Sequence, residues 1–315
     1  MRSDAYLGYF SLNDTRSGVT FVVPGRHKRQ IRFAITSVMT TEIDWAAAAR
    51  GRPNRTIARY ERFNGLLNRI LREKTRPDYI VLPELSVPLR WAIRAARKLA
   101  MNGVSLLAGV EYHRDRPTKK LRNDCLISLT TRWPGYASSI ALLQPKFEPA
   151  HGERKNLIKL LKGKGLLFQP TGVAALPTVY VHRGFHFSVL ICSDLTNIAH
   201  RNVLRGEVDA IVALEWNPDT ETFGSLVEAT ASDMHAFVVQ VNNRLYGDSR
   251  IRAPAKQPYD RDVVQVKGGS TDYYVLGEID IDRLREEQRR TKAVKPHFKP
   301  TPIGYRMATR RRKGV

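Results

Sequence analysis

The sequence predicts a layered α/β domain in which helices pack over sheets of mixed pairing. Short apolar runs rich in β-branched and aromatic residues recur along the chain, and segments of helical period separate them. Strand and helix alternate early and late, while adjacent strands crowd the middle, which argues for parallel and antiparallel pairing in one domain. Strands are expected at 31–36, 79–83, 105–110, 125–130, 139–143, 178–181, 187–192, 210–214, 237–242 and 273–279. Helical period is clearest over 56–73, where Ile57, Tyr60, Phe63, Leu66, Leu67, Ile70 and Leu71 share one face. Further helices fit 88–99, 198–205, 225–235 and 282–290, and 162–172 reads as an exposed loop. There is no internal repeat, and no Pro/Gly-rich linker divides the core.

Composition sets limits on function. The 315 residues, 42% hydrophobic and 26% charged, match a soluble globular protein with an ample core. No apolar run approaches the roughly 20 residues of a membrane helix, and the first residues do not read as a secretory signal. Two cysteines, Cys125 and Cys192, exclude a disulfide framework and fit a reducing compartment, expected to be the cytoplasm. Lys and Arg number 52 against 30 acids, a net charge of +22 that points to an anionic partner, either nucleic acid or an acidic protein or membrane surface. The excess is uneven: ten basic residues and no acid lie between Arg289 and Val315. With Pro296, Pro300 and Pro302, residues 291–315 read as a basic, extended C-terminal arm following a domain over 1–290 whose core begins near residue 30.

Three reactive residues sit at strand ends. YIVLPELSV drives an apolar strand into Glu84, SSIALLQPK ends on Lys146, and FHFSVLICSDL places Cys192 where a strand gives way to a helix. In layered α/β folds the loops at strand C-termini gather on one edge, so residues far apart in sequence can converge there. Chemically the set is coherent: a thiol that attacks, a carboxylate that takes and returns its proton, and an ammonium that stabilises developing negative charge. The Ser193 N–H, near a helix N-terminus, is a natural oxyanion donor and would favour the thiolate. Taken singly, each has a bland reading: Glu84 as a helix cap, Lys146 as a solvated strand end, Cys192 as a small buried hydrophobe like Cys125. Joint occurrence in this order favours catalysis.

The order Glu, Lys, Cys resembles the carbon–nitrogen hydrolase (nitrilase) superfamily over roughly residues 31–290. IRFAI resembles its opening strand and VLPEL its glutamate strand. GVSLLAGVEY with LRNDCLISL resembles the paired strands before the lysine, QPKFEPAHGE the lysine segment, and VLICSDL the cysteine turn. VDAIVALEW, EATASDMHAFVVQVNN, GDSRIRAP and VLGEIDIDRLREEQ resemble its later elements. The resemblance implies a four-layer αββα sandwich, two mixed β-sheets flanked by helices, assembled as a homodimer or higher homo-oligomer. It implies a small amide-like substrate and hydrolysis or transfer at a C–N bond through a covalent thioester on Cys192, with Glu84 as general base and Lys146 stabilising the intermediate. A second glutamate after the lysine is best matched by Glu153, with Glu148 as the alternative.

His151 and Trp216 are candidates to touch substrate. Family members often follow the cysteine with an aromatic residue and then Asp; here Cys192-Ser193-Asp194 keeps the Asp and changes the residue before it. No cofactor is implied, and the histidines lack metal-ligand spacing. The basic character is similar to a branch whose nitrilase-like domain accompanies bacterial defence reverse transcriptases. The rival to a C–N hydrolase is a catalytically idle basic module of the same fold that binds nucleic acid or a partner protein.

Overall fold

The protein was analysed as a computed structural model that describes residues 11–15, 18–115, 117–133, 135–163, 167–290 and 296–313. In chain order its elements are β1 (Ser11–Thr15), β2 (Gly18–Val23), β3 (Gln30–Ser37), α1 (Glu42–Ala49), α2 (Ile57–Leu71), β4 (Tyr79–Val87) and α3 (Leu89–Ala100). Then come β5 (Ser105–Arg114), β6 (Leu121–Trp133), β7 (Tyr136–Pro145), α4 (His151–Leu160), β8 (Val179–His182), β9 (Phe185–Ile191) and α5 (Ile198–Leu204). The chain continues through β10 (Ala210–Glu215), α6 (Thr220–Met234), β11 (Phe237–Asn242), β12 (Ser249–Arg252), β13 (Asp262–Val266), β14 (Tyr273–Asp280), α7 (Ile281–Arg289) and α8 (Thr309–Lys313).

One sheet runs β1-β2-β8-β9-β10-β11-β12-β13 and the other β14-β3-β4-β5-β6-β7. Their inner faces interlock around Phe33, Tyr79, Phe185 and Phe187, with Tyr79 stacked on Phe33 at 5.4 Å and in edge contact with Phe187 at 5.6 Å. The outer face of the six-stranded sheet takes Phe63, Leu66 and Leu67 of α2 and Trp91, Ala95 and Leu99 of α3. The outer face of the eight-stranded sheet takes Leu204 of α5 and Val227, Ala231 and Met234 of α6. These are the four layers αββα, two mixed sheets flanked by helices. Every residue of β4 is buried because the strand has a sheet on one side and helices on the other, which is why it reads as a continuous apolar run.

Strand polarity positions the reactive ends. β3, β4 and β5 are mutually parallel, and so are β9, β10 and β11. β7 is antiparallel to β6, itself antiparallel to β5, so β7 points the same way as β4 and β5. β4 departs from regular pairing on the way: Leu82 pairs with Ala108 but Val87 with Val110, so the Pro83–Ser86 segment bulges, with Leu85 in the left-handed region at φ 54. The bulge rests on Gly109. A Cβ there would stand 2.2 Å from the Pro83 carbonyl oxygen and 2.5 Å from the Glu84 Cα, so only glycine admits this approach. Ser86 Oγ donates to Gly109 O at 3.0 Å and Thr40 Oγ1 to Leu85 O at 3.0 Å, holding the bulge on both sides.

Several expectations shift. α6 begins at Thr220 rather than 225, because Asp219 caps it by accepting from Thr222 N at 3.2 Å. The short α1, opened by a Thr41–Asp44 capping box, and α4 were not expected from periodicity, nor were β12 and β13. Within the stretch expected as an extended arm, residues 296–313 pack against the domain. Phe298 and Met307 are buried, and Arg311 is fully buried. Arg311 and Arg285 of α7 both clasp Asp209, which stands just before β10: Arg311 Nη2 lies 2.7 Å and Arg285 Nε 2.8 Å from its Oδ1. One arginine of the terminal cluster is thus a core residue, recruited because Asp209 needs countercharge.

Two predictions follow from these contacts. Burial works against the Asp209 carboxylate, but Arg311 and Arg285 outweigh it and hold its pKa far below the carboxylate range. The stability it contributes is therefore fully present above its ordinary pKa of about 3.9 and is lost as pH falls below that value. Asp209→Asn, which strands two buried guanidiniums, is expected to cost about 3–5 kcal/mol in denaturant unfolding at pH 7; a loss under 1 kcal/mol would contradict this account. Gly109→Ala is expected to cost on the order of 1–3 kcal/mol, since backbone must move to admit the methyl, and an unchanged unfolding midpoint would show that the bulge does not depend on it.

Candidate active site

Glu84, Lys146, Glu153 and Cys192 meet at the edge where β4, β7 and β9 end. Lys146 follows β7 directly, and its Nζ donates to Glu84 Oε1 at 2.9 Å and to Glu153 Oε2 at 2.7 Å. Its side chain is 5% exposed, so the ammonium is almost wholly withdrawn from water. Burial works against its charge, but Glu153 and Glu84 outweigh burial and hold its pKa well above the usual lysine value. Burial would likewise raise Glu153, and the Lys146 charge and hydrogen bonds reverse that and lower it.

The two carboxylates are fixed from several sides. Asn123 Nδ2 donates to Glu84 Oε1 at 2.7 Å and to Glu153 Oε1 at 3.1 Å, and its carbonyl accepts from Lys146 N at 2.8 Å. Trp216 N donates to Glu84 Oε2 at 3.1 Å, and Tyr112 Oη to Glu153 Oε1 at 2.5 Å. Glu153 also caps α4 by accepting from Ala150 N at 3.2 Å. Of the two glutamates weighed as the second carboxylate, Glu153 therefore contacts the lysine. Glu148 is exposed, with its backbone N–H on Asp194 and its carbonyl accepting from Ser193 Oγ.

Cys192 occupies the left-handed region at φ 50, the tight turn between β9 and the 3-10 turn Cys192–Thr196. Asp194 fastens this turn to the lysine segment, accepting from Ile191 N at 3.3 Å, Phe147 N at 3.2 Å and Glu148 N at 3.1 Å. Burial pushes the Asp194 carboxyl up to about 7 against those three donors and Lys146. The thiol departs from expectation. Burial, and then the Glu84 charge, hold its pKa well above the ordinary thiol value, although Lys146 opposes them. With two carboxylates around one ammonium, a thiolate would add a second net negative charge to a dry site. The resting sulfur is a thiol.

The remaining candidates divide. Ser193 follows Cys192 in the 3-10 turn, and its hydroxyl is spent on Glu148 O at 3.0 Å, leaving its N–H as the group of interest. Trp216 is half-buried and stacks on Trp45 at 6.0 Å, and Trp45 meets Tyr112 edge-on at 6.1 Å, forming an aromatic wall beside the carboxylates. His151 is exposed at the first residue of α4, and among the described residues no hydrogen bond joins it to Glu84, Lys146 or Cys192. Among the described residues no cluster of His, Cys, Asp or Glu is arranged to hold a metal ion, and no helix is long and apolar enough to cross a membrane.

Four residues of this neighbourhood escaped the sequence reading: Tyr112, Asn123, Trp45 and Glu215. Glu215 is fully buried at the end of β10, accepting from Gln240 Nε2 at 2.8 Å, and burial pushes its carboxyl up to about 8. The signal that singled out Glu84, an acid closing an apolar strand, is equally present in AIVALE. Asn123 and Tyr112 carried none, because a polar residue inside a strand declares its partner only once strands are paired.

Comparison with known proteins agrees with the architecture. No protein-family model matches the sequence, and a search of curated proteins finds no match. Among solved structures, the fold is similar to that of a CN-hydrolase superfamily protein from Xanthomonas campestris with an arsenic adduct in its active site. The two share 15% identity at a TM-score of 0.58, over 84% of this chain and 96% of that one. It is similar to an amidase from Nesterenkonia sp. at 14% identity and a TM-score of 0.57, over 86% of this chain and 95% of that one. It is also similar to a branch 10 nitrilase-superfamily member from Saccharomyces cerevisiae, at 15% identity and a TM-score of 0.58, over 85% and 98%. At these identities the likeness is one of fold: the chain has the αββα sandwich of the nitrilase superfamily's solved structures.

Proposed function

We propose that the protein is a thiol-dependent hydrolase of non-peptide C–N bonds, of amidase type, acting on a small amide-like substrate through a covalent thioester on Cys192. The observation that carries this reading is the Glu84–Lys146–Glu153 cluster buried beside Cys192. The fold likeness to an amidase and to other superfamily members supports it. So does the solved structure of a mutant amidase from Nesterenkonia sp. AN1, which shows covalent addition of the acetamide moiety of fluoroacetamide at its active-site cysteine.

The chemistry follows from the donors and acceptors left over. Of the four lone-pair positions on Glu84, Lys146, Asn123 and Trp216 occupy three, which leaves one to receive a proton. As Sγ attacks the carbonyl carbon, its proton passes to Glu84, so no free thiolate needs to accumulate. The carbonyl oxygen becomes an oxyanion. Lys146 has three N–H donors and spends two on Glu84 and Glu153, so the third, with the Ser193 N–H, can meet that oxyanion. When the C–N bond breaks, Glu84 returns the proton to the departing nitrogen and Cys192 keeps the acyl group as a thioester. Glu84 then deprotonates water, which attacks the thioester and frees the acid and the thiol. Glu153, Tyr112 and Asn123 position Lys146 and Glu84. Trp216 lines the substrate side, and His151 at the mouth of α4 is the outermost group proposed to touch substrate.

A homo-oligomer, as the resemblance implies, in the cytoplasm, as the two free cysteines suggest, completes this reading. The net charge of +22 is the feature that favours the alternative, a catalytically idle basic module binding nucleic acid or an acidic partner. It also underlies the proposed kinship with the branch accompanying bacterial defence reverse transcriptases. The buried cluster favours catalysis over idleness because it sets a proton acceptor and an ammonium beside a thiol.

Two outcomes test the proposal. In a screen of small aliphatic and aromatic amides, Cys192→Ala is expected to abolish turnover and Lys146→Ala to lower it by a factor on the order of 10²–10³; turnover in Cys192→Ala, or a Lys146→Ala rate within about tenfold of the parent, would refute the assignment. Glu84→Gln separates base from electrostatics. It should abolish amide hydrolysis yet speed iodoacetamide alkylation of Cys192 at pH 7, because removing the Glu84 charge lowers the thiol pKa. Peptide mass spectrometry reads both cysteines, with fully buried Cys125 as the internal control. Slower alkylation in this variant would show that Glu84 does not hold the thiol protonated.

A further inference from the structure

We propose that the pole of the sandwich opposite Cys192 carries a second site, one that binds an anion with closely spaced phosphates. Cys192 lies at the C-terminal end of β9. At the N-terminal end of that strand, seven residues and roughly 23 Å away, the turn from β8 meets the loop from β2 to β3 and the far end of β6. Together they line an open cavity of about 840 Å³, with residues from both sheets. Five of its lining residues are basic, Arg26, His27, Lys28, Arg132 and Arg183, and none is acidic.

The site is built rather than a chance patch of surface charge. Arg183 stands in the left-handed region at φ 54, and its backbone is tied on both sides: its N–H donates to Val23 O at 3.3 Å, and its carbonyl accepts from Lys28 N at 3.3 Å. Its side chain lies along the loop so closely that a Cβ on Gly25 would stand 2.8 Å from Arg183 Cγ. One on Gly184 would stand 2.3 Å from His27 Nδ1. Two glycines therefore let the loop and the turn pack together and present their cations to one space. Beneath them His182 Nε2 donates to Thr130 O at 2.8 Å, so its Nδ1 accepts from Tyr79 Oη at 2.6 Å. Burial pushes His182 down to about 3, so this ring is neutral and adds no charge of its own.

The cations also differ in availability. Lys28 pairs with Asp78 at 2.5 Å and His27 with Asp282 at 2.8 Å, which fixes the loop to the domain. Among the described residues, Arg26, Arg132 and Arg183 have no ion pair. Three guanidiniums from three separate segments around one cavity match an anion with several phosphate oxygens in a row, each able to take a planar fork. No Phe, Tyr or Trp is among the described lining residues, and the His27 ring is held by Asp282, so the recognition is of phosphate rather than of stacked bases. Inorganic polyphosphate and the phosphate tail of a nucleoside triphosphate share this chemistry.

Isothermal titration of the full chain with inorganic tripolyphosphate, ATP and orthophosphate, at two salt concentrations, tests the site. Tripolyphosphate is expected to bind one per chain, at least tenfold tighter than orthophosphate, and to weaken as salt rises. Arg132→Ala with Arg183→Ala should weaken it at least tenfold. Because the Arg183 stem packs on Gly25, a second pair, Arg26→Glu with Arg132→Glu, changes only exposed side chains and should do the same with an unchanged melting temperature. ATP binding as tightly as tripolyphosphate would assign the site to nucleoside triphosphates, and ATP binding tenfold weaker would assign it to polyphosphate. The proposal is overturned by the absence of saturable binding or by binding that both pairs leave intact. A mixed-sequence single-stranded oligonucleotide that binds without competition from tripolyphosphate would overturn it too.

Discussion

A lysine withdrawn from water must be repaid in charge, and at the edge of this sandwich that demand organises everything around it. Taking an ammonium out of solvent costs several kcal/mol even after relaxation, and Lys146 is 5% exposed. One carboxylate would balance its charge but leave donors unused. Glu84 and Glu153 together satisfy two of them, and their own spare oxygens then need Asn123, Tyr112 and the Trp216 N–H. The result is a network in which each member is fixed by the others, with an excess of negative charge that keeps the neighbouring Cys192 protonated. A thiol in such surroundings requires a base in direct reach, and this is the role proposed for Glu84.

Strand direction makes the network possible. Glu84, Lys146 and Cys192 belong to different strands and, for Cys192, to a different sheet. They meet because β4, β7 and β9 all end at one edge. The bulge after Leu82 then carries Glu84 out of regular pairing, and Gly109 makes room for it. Asp194 joins the cysteine turn to the lysine segment through three backbone donors. The site is thus supported by main chain as much as by side chains, and main-chain support moves little.

The large positive charge is distributed with more structure than its total suggests. Some of it is internal: Arg285 and Arg311 neutralise Asp209 and bind α7 and the last residues of the described chain to the eight-stranded sheet. Some of it lies on the solvent face of α3, where Arg90, Arg94 and Arg97 stand clear of the apolar stripe. Some of it converges on the cavity at the pole away from Cys192. The dry, charge-balanced cluster and the open, unbalanced cavity sit at opposite ends of the same strands, and each suits a different kind of ligand.

Much of this was legible in the residues alone. Apolar runs of strand length revealed β3, β4, β9, β10 and β11, since a strand buried on both faces has no alternative to being apolar throughout. An acid or a base closing such a run marked Glu84 and Lys146, because a charge placed there must find a partner. Their order along the chain with Cys192 carried the resemblance to the nitrilase fold. Tertiary structure alone decided the rest. Glu153 was already the better match in the sequence, but its contact with Lys146 depended on the direction in which α4 leaves the lysine. Asn123 and Tyr112 depended on strand pairing. The protonated state of Cys192 depended on how many carboxylates share one ammonium. Arg311, indistinguishable in sequence from its neighbours in RRRK, became a core residue because Asp209 lay buried beneath it. Sequence periodicity reports which residues must leave water, but which charges face each other once they have left is a property of the assembled layers.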